Sequence, residues 1–371
     1  MVEAFGLRVA LVGWRGSGKS TLMEALVGNK GTAIRERSGV EYRVGTAPVP
    51  DPRLDYLAGL YKPRKLTPAP LEFADLPGIA QRGMEHTVQE VMRTAEVLLL
   101  VLGAFSGSGG DAARDYRRLE EEFLLADLSV VEGRLDRLAH QKGAHQAAGH
   151  RGTSNGQVEN EVLQRCRVHL EGGRPLRTLD IDGPVEQAIV DSYRLLSRKP
   201  ALAVVNVSEE QLADGGAAAQ IELATAVQAV REQAGETGVV PLDVCASLEA
   251  EISVLPAEER SDFLAEFGLA EPGVARVARA AYAAAGLISF FTVGPDEVKA
   301  WVLRRGATAW EAAGKIHSDI QRGFIRAEVV AFQDLQRAGD MKAAKAQNQV
   351  RLEGKDYVVQ DGDIIEFRFN V

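Results

Sequence analysis

Three observations predict an α/β fold with a helical insert and a separate α+β module toward the C-terminus. The apolar run 7–12 (L-R-V-A-L-V) leads through a glycine-rich segment into 21–27 (T-L-M-E-A-L-V), where apolar residues recur at helical spacing. Residues 96–102 (E-V-L-L-L-V-L) are apolar without alternation, as a strand covered on both faces of a parallel sheet must be. Composition then shifts twice, to a charged, leucine-rich helical stretch from Asp111 and to short strands from about Leu287. The predicted organisation is one α/β domain in two parts, 1–110 and 198–286, a helical hairpin or coiled coil at 111–197, and a C-terminal module at 287–371.

Between the first strand and its helix, residues 13–20 read G-W-R-G-S-G-K-S and meet G-x-x-x-x-G-K-[ST] at every fixed position. The strand–loop–helix setting that this pattern requires is present. Gly13, Gly16 and Gly18 permit a tight turn whose N–H groups point inward at phosphate oxygens, and the positive end of the following helix adds to that field. Lys19 is expected to reach the β- and γ-phosphates and Ser20 to ligate Mg2+. Arg15, Ser17 and Thr21 complete the expected phosphate-facing set. The predicted fold is therefore that of a P-loop nucleotide-binding domain.

After this loop, 41–49 alternates in part as a strand does, and 70–74 is another short strand. Residues 106–110 (S-G-S-G-G) read as a flexible break. The stretch 111–140 is helical, 143–156 is polar and glycine-rich and reads as a loop tip, and 159–170 and 185–196 are helical again. Their apolar positions are expected to form the internal seam of an antiparallel hairpin rather than a partner surface. The α/β pattern resumes with a strand at 201–205 ending at Asn206, an alanine-rich helix at 217–233, a strand at 239–244 and a helix at 268–285. Strands at 288–293, 298–303, 326–331 and 364–369, with helices at 310–316 and 334–338, make up the last module.

The bulk numbers narrow the partners. A formal charge of -9 and a pI of about 5.4 argue against coating nucleic acid, so no DNA partner is expected. The two cysteines, Cys166 and Cys245, are far apart and fit neither a disulfide framework nor a metal site. No apolar run approaches the roughly 20 residues that span a bilayer, so no membrane partner is expected. The N-terminus reads as a strand entering the phosphate loop rather than a cleavable signal, and the cytoplasm is the expected compartment.

Further segments refine the nucleotide site. Asp75-Leu76-Pro77-Gly78 follows a strand as D-x-x-G, where Asp75 can hold Mg2+ through water and the Gly78 amide can contact a γ-phosphate. Ile79 stands where many small GTPases place a Gln that orients the attacking water, and an aliphatic side chain cannot do so. At the end of the 201–205 strand the guanine-reading pattern N-K-x-D is replaced by Asn206-Val207-Ser208-Glu209. Glu209 is either a base contact or a surface charge that starts a loop.

Together these segments resemble the YchF/Obg-like ATPase family of P-loop proteins over most of the chain. The resemblance is carried by P-V-P-D-P-R-L-D at 48–55 with Tyr61-Lys62-Pro63, N-V-S-E at 206–209 and C-A-S-L-E-A-E-I at 245–252. It is carried also by H-S-D-I-Q-R-G-F-I-R-A-E-V at 317–329 and R-L-E-G-K-D-Y-V-V-Q-D-G-D-I-I-E-F-R-F-N-V at 351–371. The resemblance implies a Ras-like G domain, a coiled-coil insert and a C-terminal TGS-type domain of ubiquitin-like β-grasp fold. It implies binding of ATP in preference to GTP, or of both, with Mg2+, and association with ribosomes or RNA; a GTP-specific GTPase is disfavoured by Val207 and Glu209. By position, Asn206, Val207 and Glu209 would lie at the base, supported by Cys245, Ala246 and Ser247.

The departures bear on hydrolysis. The family's G-x-P-N-V-G-K-S has Trp14-Arg15-Gly16-Ser17 here; its first-switch Thr falls on Gly39 beside Ser38; its loop after D-x-x-G shortens to residues 80–83; and 103–110 contain no His. His86 and Arg82 are the remaining candidates for a catalytic group. Slow or partner-stimulated hydrolysis is the expectation, with a hydrolysis-deficient adaptor as the rival. Lys62, Arg64 and Lys65, with Arg304, Arg305, Arg322 and Arg326, form a modest basic footprint for RNA.

Overall fold

The computed structural model describes residues 8–28, 33–37, 39–80, 83–105, 111–147, 154–212 and 217–370. Its strands are β1 (Arg8–Val12), β2 (Ala33–Arg37), β3 (Val40–Val49), β4 (Lys65–Thr67), β5 (Ala69–Asp75), β6 (Val97–Gly103) and β7 (Ala201–Asn206). There follow β8 (Val240–Val244), β9 (Leu287–Thr292), β10 (Glu297–Arg304), β11 (Phe324–Ala331), β12 (Arg351–Glu353) and β13 (Asp363–Phe369). By its internal contacts the chain divides into two compact units, Met1–Thr46 with Glu72–Val277, and Ala47–Leu71 with Ala278–Val371.

The first unit holds most of a seven-stranded sheet of order β2-β3-β5-β1-β6-β7-β8. β1 runs parallel to β5 and β6, and β6, β7 and β8 continue parallel. β6 and β7 are buried at every residue, which accounts for their unbroken apolar character. β2 and β3 form an antiparallel hairpin at one edge. Parallel strands gather their C-terminal ends on one side of the sheet, and β1, β5, β6, β7 and β8 deliver their following loops there.

The helical hairpin pairs Ala112–Ala147 with Ser154–Glu171. The expected seam is present: Val131, Leu135 and Leu138 pack with Val162, Leu163, Cys166 and Leu170 in a core of their own. Arg134 clasps Glu159 across the pair through two hydrogen bonds of 2.9 Å. The helices run further into 143–156 than its polar composition predicts, and residues 148–153 lie outside the described residues, as do 106–110. The long helix is anchored at Asp127, which is fully buried and accepts from Leu196 N (2.9 Å), Ser197 N (2.7 Å) and Arg93 (3.1 Å). Two helices absent from the sequence reading, Ala246–Val254 and Ala257–Glu266, lie between β8 and the helix Gly273–Ala284.

The second unit is built on a six-stranded mixed sheet of order β12-β11-β13-β9-β10-β4. Sequence predicts an unbroken first segment to residue 110; by contacts, 47–71 group with 278–371 instead. The reason lies in the P-D-P-R segment. Asp51 caps the helix Pro52–Tyr61 by accepting from Arg53 N at 3.0 Å. Arg53 also binds Asp361 at 3.0 and 3.2 Å and lies 5.3 Å from the Phe291 ring centre, while β4 pairs with β10. Among the described residues no helix is long and apolar enough to cross a membrane.

Candidate functional site

β1 delivers the chain to Gly13, so close to β6 that a Cβ there would lie 2.5 Å from the Val101 carbonyl oxygen. Gly16 (φ 84°) and Gly18 (φ 83°) turn through the left-handed region, and the helix Lys19–Val27 follows at once. Gly18 is constrained twice, since a Cβ would also stand 2.0 Å from the Asn206 amide nitrogen. Ser17 N donates to Trp14 O at 3.2 Å, and the Ser17 hydroxyl is buried with no protein partner. Arg15 is exposed, and Thr21 is half-buried in the first turn of the helix.

The D-x-x-G segment lies against this loop. Asp75 ends β5, and Gly78 approaches so near that a Cβ would meet Arg15 Cα at 3.2 Å. Ile79 N donates to Gly13 O at 3.0 Å and Arg15 N donates to Ile79 O at 3.2 Å, a parallel bridge beside Trp14. The Ile79 side chain belongs to the core and is 5% exposed. That position therefore serves packing.

Charge converges on Asp75. Lys19 Nζ pairs with its Oδ1. Ser20 Oγ donates to Oδ2 at 2.8 Å, and Arg43 Nη2 binds Oδ2 at 2.9 Å. Burial pushes the Asp75 carboxyl up, but the Lys19 charge and hydrogen bonds from Lys19, Arg43 and Ser20 outweigh it and hold the group below the usual carboxylate range. An ionised carboxylate and a hydroxyl oxygen at one corner are the hard oxygen donors that Mg2+ takes alongside nucleotide phosphates, so the donor set fits that ion. Among the described residues no cluster of three or more His, Cys, Asp or Glu would hold a metal unaided.

On the other side of the loop, Asn206 is 4% exposed at the end of β7. Its Nδ2 donates to Ser17 O at 3.0 Å, and its Oδ1 accepts from Ala246 N at 2.9 Å. One amide thus ties the phosphate loop to the loop after β8. Within that loop Cys245 and Ala246 are buried, Ser247 is exposed, and Cys245 Sγ lies 3.2 Å from Ser247 Oγ. Val207 is buried in the core, which leaves only its backbone to a ligand. Glu209 opens the short helix Glu209–Leu212 and is half-buried. His86 is exposed at the start of the helix His86–Met92, whereas Arg82 and Ser38 lie outside the described residues.

Sequence reasoning missed two residues here. Arg43 is one, because nothing local signals that β3 delivers it to Asp75. The other is Trp14, whose indole Nε1 donates to Asp115 O at 3.2 Å while the Arg118 guanidinium sits 4.2 Å from its ring centre. Glu122 accepts from Met84 N at 2.9 Å, just beyond D-x-x-G. Residues 115, 118 and 122 share one face of the helix Ala112–Ala147 and bind both loops. An aromatic residue inside a loop otherwise rich in glycine was the available signal for Trp14. Of the basic footprint, Arg64 pairs with Asp296 (3.4 Å), Lys65 with Glu297 (2.9 Å) and Arg322 with Asp319, so much of that charge is already answered.

A family described as 50S ribosome-binding GTPase matches residues 8–127, and the YchF-GTPase_C family matches 287–370. Over 381 residues the chain is 37% identical to the ribosome-binding ATPase YchF of Bacillus subtilis (strain 168), covering 98% of this chain and 100% of that one. The chain belongs to the YchF family. The YchF of Escherichia coli O157:H7 is 37% identical over 99% of this chain and its own full length. Obg-like ATPase 1 of Oryza sativa subsp. japonica is 35% identical over 87% of this chain and 82% of its own. The structure of the Schizosaccharomyces pombe YchF GTPase superposes with a TM-score of 0.82 at 24% identity, covering 98% of both chains, which establishes the same fold. The chain thus has the P-loop GTPase fold of YchF.

Proposed function

We propose that this YchF-family chain is a Mg2+-dependent purine-nucleotide switch that binds ATP, GTP or both, hydrolyses slowly and acts with the ribosome. The observation that carries the reading is Asn206, which joins the phosphate loop at Ser17 O to the loop after β8 at Ala246 N. A nucleotide has its phosphates and its base at such a pair of loops. Lys19 would leave Asp75 for the phosphates, and the glycine-rich turn would offer its N–H groups. Ser20 and Asp75 would hold Mg2+, which supplies charge neutralisation on the phosphates when bound. Asn206 positions both loops, and Glu209 and Ser247 stand where a base would be sorted. The segment 35–46, drawn from the β2–β3 hairpin, and the segment 75–85 would then be the switches. The assignment of 287–371 as a TGS-type β-grasp domain is part of the same reading.

Ribosome association comes from the relatives named ribosome-binding ATPase. Burial of Ile79 favours the slow-turnover form of the reading, and a hydrolysis-deficient adaptor is its limit. The test is equilibrium binding of fluorescent ATP and GTP analogues with Mg2+ to wild type and Lys19→Ala, followed by phosphate release with ribosomes. Binding that Lys19→Ala weakens at least tenfold supports the switch; folded wild-type protein that binds neither analogue overturns it. Phosphate release that stays flat with ribosomes would move the reading to the adaptor.

A further inference from the structure

Arg43 is the one side chain of the β2–β3 hairpin that reaches the Ser20–Asp75 corner among the described contacts. Its Nη2 binds Asp75 Oδ2 at 2.9 Å, on the oxygen that Ser20 Oγ also uses at 2.8 Å. Its Nη1 binds Glu24 Oε1 at 3.1 Å on the helix Lys19–Val27. The two partners differ in setting. Asp75 is 6% exposed, Glu24 is 62% exposed, and the Arg43 side chain between them is 33% exposed. A cation placed between a buried and an exposed carboxylate has two available resting places. A divalent cation at Ser20 and Asp75 would bring like charge against the guanidinium, and only the inner contact would suffer.

We propose that Arg43 is a built-in competitor for the metal corner, yielding Asp75 when Mg2+ and nucleotide bind and falling back on Glu24. The inference rests on the nucleotide-switch reading and adds its regulation. Contact with Asp75 holds the hairpin at the corner, and a metal taking that oxygen would release it. Arg43 lies opposite Ile34 in the β2–β3 register, so its release acts on the edge hairpin as a whole.

The experiment is a Mg2+ titration of fluorescent ATP analogue binding at fixed nucleotide, with wild type, Arg43→Gln and Glu24→Gln compared. Arg43→Gln removes the competitor, and the half-saturating Mg2+ concentration is expected to fall about two- to fivefold, the fold-change of an ion pair of modest strength. Glu24→Gln removes the fallback, which concentrates Arg43 on Asp75, and the half-saturating concentration is expected to rise. Glu24 is exposed, so this second variant remains informative if Arg43→Gln folds poorly. An unchanged or raised Mg2+ requirement in folded Arg43→Gln overturns the inference while the switch reading stands, and so does an unchanged requirement in Glu24→Gln. Absence of nucleotide binding in all three proteins at any Mg2+ concentration overturns both.

Discussion

Replacing Asn206 by Ala removes two hydrogen bonds at once and tests how the site is held. Both are buried: Nδ2 to Ser17 O at 3.0 Å, and Ala246 N to Oδ1 at 2.9 Å, from a side chain that is 4% exposed. Ala leaves a carbonyl and an amide without partners, and each orphaned group costs about 1–3 kcal/mol. The small cavity admits some relaxation, so a total of about 2–4 kcal/mol is expected. With a urea slope of about 1–3 kcal/mol per molar, the unfolding midpoint of the transition that includes the phosphate loop drops by about 1 M or more. Nucleotide affinity should fall with it, because the loop loses its tie to the base side. Asn206→Asp provides the control. It keeps the acceptor for Ala246 N but turns a carboxylate oxygen toward the Ser17 carbonyl, and it should be at least as harmful. If Asn206→Ala unfolds within about 0.5 kcal/mol of wild type and binds nucleotide with the same Kd, the argument that this amide joins the two loops is wrong.

Other outcomes follow from the same geometry. Ile79→Gln should not create an efficient hydrolase; it buries an amide in the core, costs about 2–3 kcal/mol in urea unfolding, and a faster phosphate release from an undestabilised variant would contradict this. Trp14→Phe keeps the ring but loses the 3.2 Å bond to Asp115 O, so any change in tryptophan emission on nucleotide binding should shrink sharply, and an undiminished signal would exclude Trp14 as its source. Burial, opposed in part by Glu96, pushes Lys199 down to about 8 from 10.5. A lowered amine contributes stability that is present above 10.5 and lost as pH falls through about 8. Wild type should therefore lose stability relative to Lys199→Met on going from high pH to neutral, and parallel stability curves would refute it.

Local signals were legible and distant ones were not. The phosphate loop, the D-x-x-G strand end and the buried β6 and β7 each declare themselves within a few residues, through glycine spacing or unbroken apolar runs. The hairpin seam was readable from its spacing. The grouping of 47–71 with the C-terminal unit was not, because it depends on Arg53 meeting Asp361 across 308 positions of sequence. The helices Ala246–Val254 and Ala257–Glu266 escaped for a different reason: the first carries a carboxylate, Glu249, on its buried face and an apolar residue, Val254, on its exposed one, which blurs the periodicity. Glu249 survives there by accepting from Gly273 N at 2.5 Å, a partner that no local pattern announces. Arg43 shows the same limit at the site itself, since its meaning comes from which strand lies beside β5.

The helix that begins beside Trp14 spans 36 residues, Ala112–Ala147. At 1.5 Å per residue that is a rod of about 54 Å. Near its start, at Asp115, Arg118 and Glu122, it is grasped by the phosphate loop and the loop after D-x-x-G. Such a rod is a lever with its fulcrum at the nucleotide. A tilt of about 5° at the grip carries the far end, about 40 Å away, through about 3–4 Å. On the proposed switch reading, an ångström-scale adjustment of those two loops would become a displacement large enough to make or break a contact at the hairpin.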